Sequence, residues 1–208
     1  MIAIVDYGMG NLASVEKAVK FLGGRARVTS DPKEIARADG VILPGVGAFG
    51  AAMKELKSRR LVEPFWEAIH AGKPFLGLCL GMQLLFESSE ESPGVKGLGV
   101  FAGRVRKLPS ARGLKIPHMG WNQIHKTGKK KNPLLEGVPD GSFMYFVHSY
   151  VVDPDWGALT AARTDYGKAF PSMLWNTGKI WATQFHPEKS QKFGLKMLGN
   201  FLKQVEKC

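Results

Sequence analysis

The sequence predicts an α/β protein: an open, mostly parallel β-sheet with helices on both faces and additional antiparallel strands in the C-terminal half. Three observations carry this prediction. Short apolar runs with β-branched residues recur through the first half, each followed by a segment with apolar residues at helical spacing. Alternation of that kind builds parallel strands with crossover helices on either face. After about residue 99 the helical segments give way to strand-like runs joined by turns, until one amphipathic helix closes the chain.

Taken in order, "IAIVD" (2–6) reads as a strand buried on both faces. Leu12, Val15, Ala18, Val19 and Leu22 then recur at helical spacing, and "GG" (23–24) ends that helix. "ARVTS" (26–30) is a second strand. Asp31 and Pro32 open a short helix as cap and first-turn residue. "GVILPG" (40–45) is a third strand, followed by a glycine-rich loop and helical segments to Ala71. "KPFLGL" (73–78) is a fourth strand, and "LGMQLLFE" (80–87) continues as a helix. In the second half, 99–108, 143–152, 157–164, 172–177 and 179–186 are strands, some of them paired antiparallel. The closing helix (190–205) sets Phe193, Met197, Leu198, Phe201, Leu202 and Val205 on one side. No internal repeat or long linker appears, so residues 1–208 read as one domain.

Composition narrows the class. No apolar run approaches the ~20 residues of a membrane helix. The N-terminus lacks a basic leader and Asp6 interrupts its apolar run, so no signal peptide is expected. The two cysteines, Cys79 and Cys208, make no disulfide framework, and a reducing cytoplasm fits best. Net charge is +11, mostly dispersed; "KTGKKKN" (126–132) is the dense cluster. No aromatic-interleaved RNA-binding signature accompanies it. It reads as a solvated or partner-facing surface, with a nucleic-acid or phosphate role as the alternative.

The chemistry centres on Cys79. The pattern Gly77-Leu78-Cys79-Leu80-Gly81 places a nucleophile-type residue between glycines, at a predicted strand-to-helix turn. There its side chain projects from the carboxyl end of a strand, where open α/β sheets carry their sites. A helix N-terminus also favours an anion. The Leu80 N–H would supply half an oxyanion hole. By its local pattern alone, Cys79 is equally a buried packing cysteine.

A base is the missing partner. His70 and His125 read as surface residues. His186 ends an apolar run in "QFHPEKS", with Glu188 two residues on, close enough to fix the imidazole tautomer if the chain turns at Pro187. Alone, this is also what a surface histidine beside a glutamate looks like. "LPGVGAFG" (43–50) is either a tight strand-to-helix turn or the source of a second oxyanion donor, with Val46 or Gly47 the candidate N–H.

Together, "LPGVGAFG", "GLCLGMQLLFE" and "QFHPEKS", in this order, resemble the triad-type class I glutamine amidotransferases. The resemblance implies a flavodoxin-like fold and hydrolysis of glutamine to glutamate and ammonia, without cofactor or metal. It implies Cys79 as nucleophile, His186 as base and Glu188 as orienting acid, with Gln83 at the glutamine site and backbone of Leu80 and the 45–47 loop as oxyanion hole. "IVDYGMGNLASV", "IPHMGWNQI" and "YFVHSYVV" further resemble the glutaminase subunits of imidazole glycerol phosphate synthases. That implies a heterodimer with a cyclase subunit, a (β/α)8 barrel, to which ammonia passes inside the complex; the chain ends too soon after its last helix for a fused synthase domain. His148, Ser149 and Tyr150 are then candidates for holding the α-carboxylate or α-amino group. His118, Met119, Gly120, Trp121 and Asn122 are either core or, as favoured here, the cyclase-facing side. A glutaminase of another synthase, such as that for anthranilate, and a basic scaffold protein with an inactive triad are the rival readings.

Overall fold

The computed structural model describes residues 1–109, 113–128 and 131–207. Cys208, and Lys129 and Lys130 in the basic cluster, lie outside the described residues. In chain order the elements are β1 (Ile2–Val5), α1 (Leu12–Phe21), β2 (Ala26–Thr29), α2 (Pro32–Arg37), β3 (Gly40–Leu43), α3 (Phe49–Ser58), α4 (Val62–His70), β4 (Phe75–Leu78), α5 (Leu80–Leu84), β5 (Phe86–Ser89), β6 (Phe101–Lys107), β7 (His118–Lys126), β8 (Ser142–His148), β9 (Tyr150–Pro154), β10 (Thr160–Asp165), β11 (Ala169–Trp175), β12 (Ile180–Thr183) and α6 (Gln191–Glu206). Among the described residues, a nine-stranded sheet runs in the order β2-β1-β3-β4-β12-β11-β10-β7-β8, and a smaller sheet runs β5-β6-β9. Pairing is parallel from β2 to β12 and antiparallel from β12 to β8, the division that the two halves of the sequence predict.

Strand alternation explains the layers. Successive side chains of β1 point to opposite faces. Ile2 and Ile4 pack under α1 and α6, against Val15, Val19, Leu198, Phe201 and Leu202. Ala3 and Val5 join the other core, with Phe49, Ala52, Met53 and Leu56 of α3 and Phe65 and Ala68 of α4. A strand covered on both sides must be apolar at every position, hence the unbroken run in the sequence. Asp31 caps α2 as predicted, its Oδ1 accepting from the Lys33 N–H at 2.8 Å. On α6, Phe201 meets the Trp181 ring edge-on at 6.2 Å, while Phe193 is only half-buried.

Three expectations are corrected. The helix over 80–87 stops at Leu84, and Phe86 belongs to a strand. The carbonyls of Leu84 and Leu85 accept from Leu98 and Phe101 N–H groups, at 2.8 and 2.9 Å, rather than from a next helical turn. The single strand over 143–152 is two, because the chain leaves the large sheet for the small one at Ser149: β8 pairs with β7, whereas β9 pairs with β6. Residues 118–126, not predicted as a strand, form β7; burial alternates along it, but Met119 and Trp121 fall on its exposed positions, so the sequence shows no apolar alternation.

Candidate active site

The end of β4 brings Cys79 to the carboxyl edge of the sheet, between β3 and β12. Its backbone is strained, with φ 53° and ψ −108°. Such a conformation costs on the order of 1–3 kcal/mol and persists only where the surroundings hold it. Here the Cys79 N–H donates to the Thr183 carbonyl at 2.7 Å, and the Cys79 carbonyl accepts from Met82 at 3.0 Å. The flanking glycines serve close approach. A Cβ on Gly81 would lie 1.9 Å from the Leu43 carbonyl oxygen, and one on Gly77 would lie 2.9 Å from the Gly81 carbonyl oxygen.

His186 lies three residues past the end of β12 and caps a 3-10 turn at Pro187–Lys189. That turn folds Glu188 back, and its Oε1 accepts from His186 Nδ1 at 2.8 Å, with both side chains buried. The other ring nitrogen, Nε2, has no partner of ordinary hydrogen-bond geometry. Burial by itself would lower the imidazole's pKa; interactions with Cys79 and Glu188 outweigh it and push the ring up to about 10. His186 is therefore held protonated at neutral pH, an acid beside the Cys79 sulfur. The structure brings together all three residues singled out as a triad.

The two oxyanion candidates meet in an unexpected way. The Leu80 N–H does not point into open space: it donates to the Gly45 carbonyl at 3.4 Å. As an oxyanion donor it is occupied in this conformation. Tyr7, which sequence reasoning passed over, holds this loop from below through a 2.9 Å bond to the Pro44 carbonyl. Burial first, and the Cys79 charge second, raise its phenol well above the ordinary tyrosine range, so it stays a donor. Gly47 has φ 102° and Val46 is exposed at the loop tip.

A cleft of about 300 Å³ opens beside Cys79, lined among others by Val46, Gly47, Gln83, Ser149 and Tyr150. Its wall also includes Glu91, which the sequence reading missed; its carboxylate accepts from the Phe49 N–H at 2.7 Å, across α3's N-terminus. Gln83 reaches the cleft, but its Nε2 is committed to the Tyr150 carbonyl and to Gln184 Oε1, both at 3.1 Å.

His148 lines the cleft, with both of its ring nitrogens engaged by protein groups. Its Nδ1 donates to the Tyr150 carbonyl at 3.0 Å, and its Nε2 lies 3.0 Å from His118 Nδ1. Burial, then the His118 charge, press His148 down to about 3, and burial presses His118 down to about 4. Both rings are thus neutral, and the carbonyl fixes their tautomers: His148 accepts from His118, whose Nε2 accepts from Asn122 at 3.3 Å. His118 lies in the core, one of the two readings of its segment. Strand alternation in β7 turns it inward, 2% exposed and stacked on Phe146 and Tyr166, while Met119 and Trp121 are 62% and 45% exposed. Gly120 and Asn122 are half-buried. Phe143 on β8, 54% exposed, extends the same outward apolar face. His70 and His125 are exposed, as expected.

The comparisons with known proteins agree with this geometry. A family model described as glutamine amidotransferase class-I matches residues 3–205. The imidazole glycerol phosphate synthase subunit HisH of Desulfitobacterium hafniense (strain DSM 10664 / DCB-2) is 51% identical over 205 residues, 99% of this chain and 95% of that one. The protein of the same description from Bacillus cereus (strain G9842) is 52% identical over 207 residues, covering 99% and 96%. A solved structure described as a glutamine amidotransferase superposes with TM-score 0.76 at 20% identity, over 99% of this chain and 100% of that one, a likeness of fold.

Proposed function

The chain belongs to the class-I glutamine amidotransferase family, and we propose from that premise how its residues carry the reaction. It is the glutaminase subunit of imidazole glycerol phosphate synthase, a single amidotransferase domain acting in histidine biosynthesis. The observation that carries the mechanism is the buried His186 and Glu188 pair set against a cysteine on a strained strand-to-helix turn. Cys79 attacks the side-chain amide carbon of glutamine, and the tetrahedral oxyanion is held by backbone N–H groups. Imidazolium His186, oriented by Glu188, gives its proton to departing ammonia. The neutral ring then takes a proton from the water that hydrolyses the thioester, and glutamate leaves. No metal or cofactor takes part.

The Gly45 carbonyl on Leu80 N–H supports a further element. In the free chain the oxyanion hole is closed, and the peptide after Gly45 must turn before Leu80, with Val46 or Gly47, can hold the oxyanion. The partner that drives this turn is a cyclase subunit of (β/α)8 form, docking on the outward face of β7 and β8 next to the cleft and receiving ammonia within the complex. Met119, Trp121 and Phe143 are its apolar anchors. The heterodimer works in the cytoplasm; among the described residues no helix is long and apolar enough to cross a membrane.

The test is Cys79→Ala in the complex. Glutamine-dependent synthesis is lost and ammonia-dependent synthesis by the cyclase survives; equal loss of both refutes the assigned role. The isolated chain hydrolyses glutamine weakly, with a large gain when cyclase and its nucleotide ligand are added. Full activity of the isolated chain refutes the closed oxyanion hole.

A further inference from the structure

The wall behind Cys79 contains a fully buried side chain that neither the triad nor the cleft accounts for. Gln184 is 0% exposed, two residues before His186, and its Nε2 lies 3.7 Å from Cys79 Sγ. We propose that Gln184 is a positioning residue for the reaction: its amide N–H is a fixed donor to the Cys79 sulfur, locked in that orientation by Gln83 and the Tyr150 carbonyl.

The orientation follows from an acceptor that cannot be mistaken. The Tyr150 carbonyl has no hydrogen to give, so the Gln83 atom 3.1 Å from it is the amide nitrogen. That same nitrogen lies 3.1 Å from Gln184, which must therefore present its oxygen there. Only the Gln184 nitrogen is left to face the sulfur. The Tyr150 carbonyl is itself held by the neutral His148, whose Nδ1 donates to it at 3.0 Å. One direction of donation thus runs from Gln83 through Gln184 to Cys79, anchored on backbone where β8 and β9 part.

The need for such a donor, beside His186, lies in another of the sulfur's contacts. As a thiol, Cys79 donates to the Val147 carbonyl at 3.8 Å. Once ionised it has nothing to give, and that carbonyl becomes a poor neighbour. An amide N–H serves both forms and binds the anion more strongly. It acts twice in a turnover, when the thiolate attacks and when it leaves the thioester. The inference rests on Cys79 being the nucleophile, and the experiment separates the two.

The measurement uses the 208-residue chain with Cys208→Ser, which leaves Cys79 as its only thiol. Alkylation by iodoacetamide is followed across pH, and kcat and KM for glutamine are measured in the cyclase complex. Gln184→Glu keeps an acceptor for Gln83 and replaces the donor toward sulfur; Gln184→Met removes both. Both variants are expected to alkylate more slowly at pH 7.5, on the order of 10- to 100-fold, as for losing a hydrogen bond to a charged group. Their profiles move to higher pH, and kcat falls while KM stays within about twofold. A cooperatively melting variant with the parent's alkylation profile overturns the proposal, since a merely structural glutamine changes stability alone. If neither variant melts cooperatively, Gln83→Leu decides: it frees the Gln184 amide to turn, and an unmoved profile overturns the proposal. Retained glutamine hydrolysis in Cys79→Ala overturns the functional reading instead.

Discussion

Lowering the pH from 7.5 to 5 should destabilise this fold through His118 and His148. Burial, with the His118 charge adding, holds His148 at about 3, and burial holds His118 at about 4. Their folded values are depressed, so their contribution is whole above the unfolded value near 6.5 and is lost as pH falls toward 3–4. At pH 5 an unfolded imidazole gains about 2 kcal/mol by protonation, while the folded rings gain almost none. The pair therefore removes about 4 kcal/mol between pH 7.5 and 5, a large share of a typical 5–15 kcal/mol stability. His186 works against this loss: its folded value, about 10, is raised, so its contribution is whole below 6.5 and declines as pH rises from 6.5 through 10. Urea unfolding followed by tryptophan fluorescence at the two pH values measures the loss. His118→Gln, which keeps a short polar link and removes one titrating ring, should reduce the pH-dependent loss by about 2 kcal/mol. Carboxylates that titrate in the same range cancel in that difference. Equal pH dependence in parent and variant would refute neutral burial of the pair.

Gly81→Ala should destabilise the chain by about 3 kcal/mol or more, read as a lower melting temperature, because its Cβ meets the Leu43 carbonyl at 1.9 Å and β3 must shift. Glu188→Gln removes one of the two interactions that outweigh burial at His186; the alkaline limb of kcat/KM in the complex should move down by roughly one pH unit or more, and an unmoved limb would count against that pairing. Trp121→Ala should weaken cyclase binding about tenfold, measured by titration calorimetry, while iodoacetamide alkylation of the free chain stays as in the parent.

Much of this was legible in the sequence because the physics is local. A strand buried on both faces must be apolar throughout, so β1, β3 and β4 announce themselves. The cysteine turn is legible because a strained residue between a strand and a helix demands small neighbours, and Gly77 and Gly81 stand where the backbone approaches. What stayed hidden depends on partners distant in sequence. Phe86 looks helical until Phe101 pairs with it. His148 looks like a ligand residue until His118, on another strand, takes its second nitrogen. Gln184 sits in an apolar run, and no local pattern says that its amide meets a sulfur 105 residues away.

The oxyanion loop shows why a motif can name the right atoms and still miss their state. The sequence offers Leu80, with Val46 or Gly47, as donors because glycines and a helix start free N–H groups for a substrate, and the glycine loop reads equally as a tight turn. In the structure one of those N–H groups bonds the Gly45 carbonyl at 3.4 Å, a long contact between two backbone groups. A hydrogen bond of that length is near the weak end of the range, so its net hold is at most about 1 kcal/mol. Rotating one peptide exchanges the carbonyl for an N–H without moving a side chain, and Gly45, having no Cβ, leaves room beneath Tyr7 for the loop to sit there. The bond that closes the hole is therefore a weak one. In the proposed complex, docking on the neighbouring β7 and β8 face, continuous with the cleft through Val147, has that weak bond to break before hydrolysis is switched on.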